Sequence, residues 1–206
     1  MTTNTSTSYV NDWFPFNFSP HPTQDRDFIK QLEFFPGLKD ILTIRQVHAL
    51  EHATVWVLSE LANSGTATAS NESIGGMSTP QGFYLYGAVN PYQLNQAVET
   101  ALQRITSGEW NLAVHPRCGT NLSVAMTLTA GFTLGINMLL PRKPIEQLLG
   151  LGIAATAAIQ LAPELGSLAQ KYLTTAIPFN LRVIDISVTQ DLWGRPAHFV
   201  QISWLN

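Results

Sequence analysis

The segment His48-Ala49-Leu50-Glu51-His52-Ala53-Thr54-Val55-Trp56-Val57-Leu58-Ser59-Glu60 decides how this chain is read, and it opens with an H-x-x-E-H pattern. Positions three, four and seven apart share one face of a helix. On that spacing Ile41, Ile44, His48, Glu51, His52, Val55, Leu58 and Ser59 form one stripe. The other positions, among them Leu42, Val47, Leu50, Ala53, Trp56, Val57 and Leu61, are apolar too. A helix that is apolar nearly all round is usually a buried one. The pattern predicts a buried helix over 38–63 with a carboxylate and two imidazoles along one face. Such groups must pair, hydrogen-bond or bind a metal, because burial alone is costly. Two readings stand. In the first, His48 and His52 hold one Zn²⁺ and Glu51 acts as general base. In the second, the three form a core network in which Glu51 fixes the tautomer of one imidazole.

A second cluster lies about 60 residues on, at His115-Pro116-Arg117-Cys118-Gly119-Thr120-Asn121, with the only cysteine of the chain. Before it, Trp110, Leu112 and Val114 alternate with Asn111 and Ala113, which predicts a half-buried strand. His115 then falls on the opposite face, at the strand's end. Pro116 and Gly119 mark a turn. His115 and Cys118 sit at a spacing common for paired metal ligands. With His48 and His52 they complete a four-ligand set, or three ligands with one open position. Cys118 has two other readings, a small buried hydrophobe and a nucleophile paired with a histidine. Arg117 is either a solvated loop charge or a clamp for a carboxylate or phosphate.

The segments HALEHATVWVLSE (48–60) and VHPRCGTNLSVA (114–125) together resemble the YqhQ-like family of predicted metal-dependent membrane enzymes. The whole chain is more similar to a related uncharacterised small family, a domain of unknown function typical of oxygenic phototrophs. The resemblance implies a metal-dependent enzyme with membrane helices after the second element. It reaches His48, Glu51, His52, His115, Arg117 and Cys118, and it specifies no reaction. Zinc peptidases with H-x-x-E-H take a downstream Glu as third ligand. Glu60, Glu72, Glu99 and Glu109 offer no such spacing here, which argues against a peptidase.

Hydrophobic residues make up 45% of the 206 residues and charged residues only 12%. That is about half the usual charged fraction of soluble domains and argues for a membrane-embedded part. A net charge of −3 with no basic run argues against nucleic acid as partner. One cysteine excludes an intramolecular disulfide and is compatible with a reducing compartment. Residues 1–25 hold no Lys or Arg and no continuous apolar run, so they read as a disordered tail without a secretory signal. Within that tail, Trp13, Phe14, Phe16 and Phe18 are either packed on the domain or form an interfacial foot.

Leu122–Leu140 gives 19 mostly apolar residues, enough for a spanning helix. After Pro141-Arg142-Lys143-Pro144 comes a shorter uncharged stretch, Gln147 to Pro163, rich in Gly and Ala. Small residues let two helices approach closely in lipid. The expected result is an antiparallel hairpin that spans the bilayer or re-enters one leaflet. Arg104, Arg117, Lys171 and Arg182 near its domain side outnumber Arg142 and Lys143 at its tip, which favours a cytoplasm-facing domain.

Elsewhere, Ser64–Pro80 reads as a long loop, either a connector or a lid over the site. Gly82–Gly87 reads as a strand. Asn90-Pro91 starts a helix whose apolar face is Leu94, Ala97, Val98, Ala101, Leu102 and Ile105. Ile184, Ile186 and Val188, then Val200, Ile202 and Trp204, predict a β-hairpin with one buried face. Its turn carries Asp191, Gly194 and Pro196, and His198 is expected at its surface or rim.

The expected fold is α+β. A small, mostly antiparallel sheet with two packed helices is interrupted by a transmembrane helical hairpin. The tail covers 1–25, the α/β part 26–118, the hairpin 119–173 and the C-terminal β-hairpin 174–206. The expected function is a membrane-anchored, metal-dependent hydrolase. His48, His52, His115 and Cys118 would supply the metal ligands. Glu51 would be base to a metal-bound water, and Arg117 would orient the substrate. The substrate would be a small molecule, a lipid or a membrane protein. The alternative is a non-catalytic assembly or scaffold protein of the membrane with a structural metal.

Overall fold

The computed structural model describes residues 19–32, 34–64, 74–87, 89–139, 143–190 and 194–205. The aromatic cluster at 13–18 and most of the segment read as a lid lie outside the described residues. The elements in chain order are α1 (Gln24–Gln31), α2 (Leu38–Asn63), β1 (Gly75–Thr79), β2 (Gly82–Tyr86), α3 (Pro91–Thr106), α4 (Gly119–Leu139), α5 (Pro144–Ala169), β3 (Leu181–Gln190) and β4 (Pro196–Trp204). A 3₁₀ turn at Trp110–Ala113 precedes α4, and a π-turn at Gln170–Thr174 ends α5.

Helix α2 is the hub. Val47, Ala49, Leu50 and Ala53 are fully buried, as its all-round apolar sequence requires. It packs against α3, whose Asn90 caps the N-terminus by accepting from the Tyr92 and Gln93 N–H groups. Phe83, Leu85, Val200 and Ile202 of the sheet close the core from the other side. Full burial of each large apolar side chain contributes about 1.5–3 kcal/mol. The order of strands is β1-β2-β4-β3, antiparallel throughout. Gly82 lets β2 approach β4 closely, since a Cβ there would collide with the Val200 carbonyl.

Five expectations need correction. Residues 110–113 form a 3₁₀ turn rather than a strand. The Ala113 and Val114 carbonyls accept from His52 Nδ1 and Trp56 Nε1, not from a neighbouring strand. The fourth strand comes instead from Gly75–Thr79, inside the stretch read as a loop. Its glycines and serine carry no apolar alternation to reveal it. Ile184 is half exposed because a bulge between Val183 and Asp185 shifts the alternation, which places Val183 opposite the buried Ile202, and Val188, read on the same buried face, is exposed as well. His198 is buried rather than at the rim. Finally, α5 is longer than α4 and runs through Pro163. Proline removes a single N–H, a loss that helices in apolar surroundings tolerate.

Helices α4 and α5 are each long and apolar enough to cross a membrane. They pack together through one stripe of α5, where Gly150, Ala154, Ala158, Ala162 and Gly166 are buried at every fourth position. A Cβ on Gly166 would strike the Asn121 side chain of α4. The outer faces are apolar and exposed, as at Leu122, Leu134, Ile153 and Ile159.

Candidate metal centre

The stripe of α2 singled out by its titratable residues forms one wall of a cavity of about 560 Å³. Ile41, Ile44, His48, Glu51, His52 and Val55 all line it. The opposite walls come from β1, from the loop 115–120 and from Leu173 and Thr174 at the end of α5. Four segments far apart in sequence thus enclose one space.

His48, His52 and Cys118 offer ligand atoms that all lie within 4.8 Å of one another. Cys118 Sγ is 3.3 Å from His48 Nε2. Both imidazoles are oriented from behind. His48 Nδ1 is 3.0 Å from the Thr174 carbonyl oxygen, and His52 Nδ1 is 2.7 Å from the Ala113 carbonyl oxygen. A carbonyl only accepts, so each Nδ1 carries the proton, and in the neutral ring Nε2 presents a lone pair. This backing by a carbonyl is the usual setting of a metal-ligating histidine.

His115 stands beside the three rather than among them. Its ring centroid is 5.8 Å from that of His52, and it packs edge-on against Trp56. Its Nδ1 accepts from the Arg117 backbone N–H at 3.3 Å, which places the proton of the neutral ring on Nε2, the reverse of the other two. Burial, with His52 and Arg117 nearby, lowers the His115 pKa to about 4.

Burial pushes the Cys118 thiol up, but hydrogen bonds from His48, His52 and Thr120 outweigh it and bring it down to about 5. The Thr120 N–H, in the first turn of α4, points to the sulfur at 3.4 Å. For His48, burial works against the charged ring, yet Cys118, the Thr174 carbonyl and Glu51 raise its pKa above the ordinary value. The Cys118 sulfur and the His48 ring thus each favour the other's charged form. Glu51 is buried, accepts from the Ser78 hydroxyl and has a pKa raised by desolvation. Gly76 of β1 lies so close that a Cβ there would collide with the Glu51 carboxylate. Arg117 lies at the exposed end of the loop and lines the same cavity.

Several contributors carried no signal in the sequence. Thr174 and Ala113 act through backbone carbonyls, so their side-chain identity says nothing. Gln170 is fully buried; its Oε1 accepts from the His115 N–H and its Nε2 donates to Asn121 Oδ1. Arg45 Nη2 donates to the Tyr172 and Thr175 carbonyls. Ser78 and Gly76 were legible only as loop residues.

The fold and the site define a class: an α+β domain carrying an apolar helical hairpin, with a His-His-Cys cluster at its foot. Residues 43–186 match the family described as Domain of unknown function (DUF6391), and the chain belongs to it. It is 52% identical over 195 residues to an uncharacterized protein of Picosynechococcus sp., covering 94% of this chain and 93% of that one. Neither finding bears on the likeness to YqhQ-like proteins. No solved structure matches the chain.

Proposed function

We propose that this protein is a membrane-anchored, metal-dependent hydrolase, with Zn²⁺ held by His48, His52 and Cys118. The observation that carries the reading is the pair of imidazoles fixed through Nδ1 to backbone carbonyls, with His48 Nε2 beside the Cys118 sulfur and one ligand atom of each of the three residues within 4.8 Å of the others, next to an open cavity. Three clustered ligand atoms leave a coordination position for solvent or substrate, the pattern of catalytic rather than structural zinc. The donor set fits: thiolate and imidazole are zinc ligands, and Cys118 is already deprotonated near neutral pH. Zinc bound there supplies Lewis acidity and makes a coordinated water acidic enough to react at neutral pH. Glu51 has the raised pKa of a group that can take a proton and hand it to a leaving group, with Ser78 fixing its rotamer. Arg117 orients an anionic part of the substrate. The outward apolar residues of α4 and α5 support their placement in lipid. The basic residues at their domain side support a cytoplasm-facing site.

Full-length protein purified in detergent is expected to carry about one zinc ion per chain. The variants His52→Ala and Cys118→Ser should lose it. Glu51→Gln should keep the metal and lose hydrolysis across a screen of ester and amide substrates that includes lipids. Metal-free wild type after growth with zinc overturns the metal reading. A Glu51→Gln variant as fast as wild type overturns the role of Glu51. Firmly bound metal with no hydrolysis in the wild type supports an assembly or scaffold protein with a structural metal.

A further inference from the structure

The cavity is lined by both polar and aliphatic side chains, among them two guanidinium groups, Arg45 and Arg117, one carboxyl, Glu51, and the Cys118 sulfur. Glu51 is occupied by the Ser78 hydroxyl. Arg45 spends Nη2 on two carbonyls, but its Nε is buried and has no hydrogen-bond partner among the described residues. A buried guanidinium N–H without an acceptor is costly, so an anion reaching it would remove a standing penalty.

Aliphatic side chains line the cavity as well: Ile41 and Ile44 on the turns of α2 before His48, with Leu173, and Val55 and Ile74 beyond His52. Ile41 and Leu173 are 50% and 71% exposed, so apolar side chains reach the surface on the side before His48. Leu173 belongs to the π-turn that directly continues α5, and Gly119 on the facing wall is the first residue of α4. The aliphatic rim is therefore continuous along the chain with the apolar exterior of the hairpin. Tyr172 is half exposed beside it. A water-soluble substrate has no need of such a rim, whereas a lipid chain does.

We propose that the cavity takes a bilayer lipid with an anionic head group, the head lying between Arg45, Arg117 and the His48–His52–Cys118 cluster and an acyl chain leaving over Ile41 and Leu173. The inference rests on the membrane-anchored part of the function proposed above and does not depend on the reaction.

The test uses the full chain in lipid nanodiscs and phosphatidylglycerol carrying a diazirine in its acyl chain, with the matched phosphatidylcholine as comparison. Labelled positions are mapped by peptide mass spectrometry. The anionic probe should label Ile41, Ile44 and Leu173 about tenfold more than the zwitterionic probe, a ratio worth about 1.4 kcal/mol. Arg117→Gln, at an exposed loop position, should remove most of that preference. Both probes should label the hairpin exterior at Leu134 and Ile153 equally. Equal labelling of the cavity residues by both probes, or cavity residues left bare while the hairpin is labelled, overturns the lipid site alone. A bare hairpin overturns the membrane reading itself. Glycerol phosphate that competes as well as the intact lipid overturns the lipid in favour of a soluble anion.

Discussion

Cys118 and His48 form a coupled acid–base pair, and this has a reactivity signature. In metal-free protein the thiol is ionised above about pH 5. Its alkylation by iodoacetamide should therefore stay nearly flat from about pH 6.5 to 8.5, where an ordinary thiol gains about tenfold per pH unit below its pKa. Zinc should suppress the reaction. A rate that climbs steeply through pH 8 would show that the pair is not formed. The thiolate's contribution is fullest above the pKa of an unfolded thiol, and it is lost as pH falls through about 5. The raised His48 contributes fully below the ordinary imidazole value, and it loses that contribution as pH rises through its folded value. The pair thus survives best between the two folded values. At Glu51 the neighbour to test is Gly76. Gly76→Ala drives a methyl group into the carboxylate and should destabilise the fold by about 1–3 kcal/mol, read as a lower thermal midpoint in detergent. An unchanged midpoint would mean that β1 yields freely. That His48, Glu51 and His52 share one face of a buried helix was legible because titratable groups interrupt an apolar pattern; Cys118 stood out as the single cysteine of a turn. The different role of His115 was not, since a tautomer depends on the backbone N–H of Arg117.

Among the elements, α5 shows most plainly how sequence becomes structure. Its small residues recur at every fourth position and face α4, while Ile153 and Ile159 on the other side are 64% and 72% exposed. Ile153→Asp should therefore weaken insertion by about 3–4 kcal/mol if that face meets lipid, measured by glycosylation mapping of a translocon-inserted chain. No change in insertion would mean a water-exposed hairpin. Ala158→Leu, at a fully buried position, should loosen the helix pair by about 1–3 kcal/mol without affecting insertion. Long helices such as α2, α3, α4 and α5 were readable because their signal accumulates over many turns. The five-residue alternation at 110–114 was not, because a 3₁₀ turn and a strand present equally good short patterns. The bulge in β3 likewise has no local mark; one extra residue reverses the inward set from Ile184 to Val183.

In the whole molecule, the centre depends on the hairpin leaving and re-entering the domain at one place. Gln170 at the end of α5 holds His115 and Asn121, and Asn121 in turn donates to the Pro116 carbonyl. Gln170→Leu leaves the buried His115 N–H without its partner, at about 1–3 kcal/mol, and frees the half-buried Asn121 Oδ1. Zinc affinity should fall about 10–100-fold with the ligands untouched, as for losses behind the ligand shell. Competition with a chromogenic chelator reads this directly, and unaltered affinity would show that the loop is held by other means. The sequence by itself determined helices α2 to α5, the sheet's core strand β2, the apolar hairpin and the residues worth watching, since periodicity, length and turn chemistry depend on near neighbours in the chain; the short α1, which begins inside the stretch read as a tail, it did not reveal. Only the tertiary structure decided which side chains converge. The carbonyls that aim His52 and His48 lie 61 and 126 residues away, and such partners exist only once the chain has closed around α2.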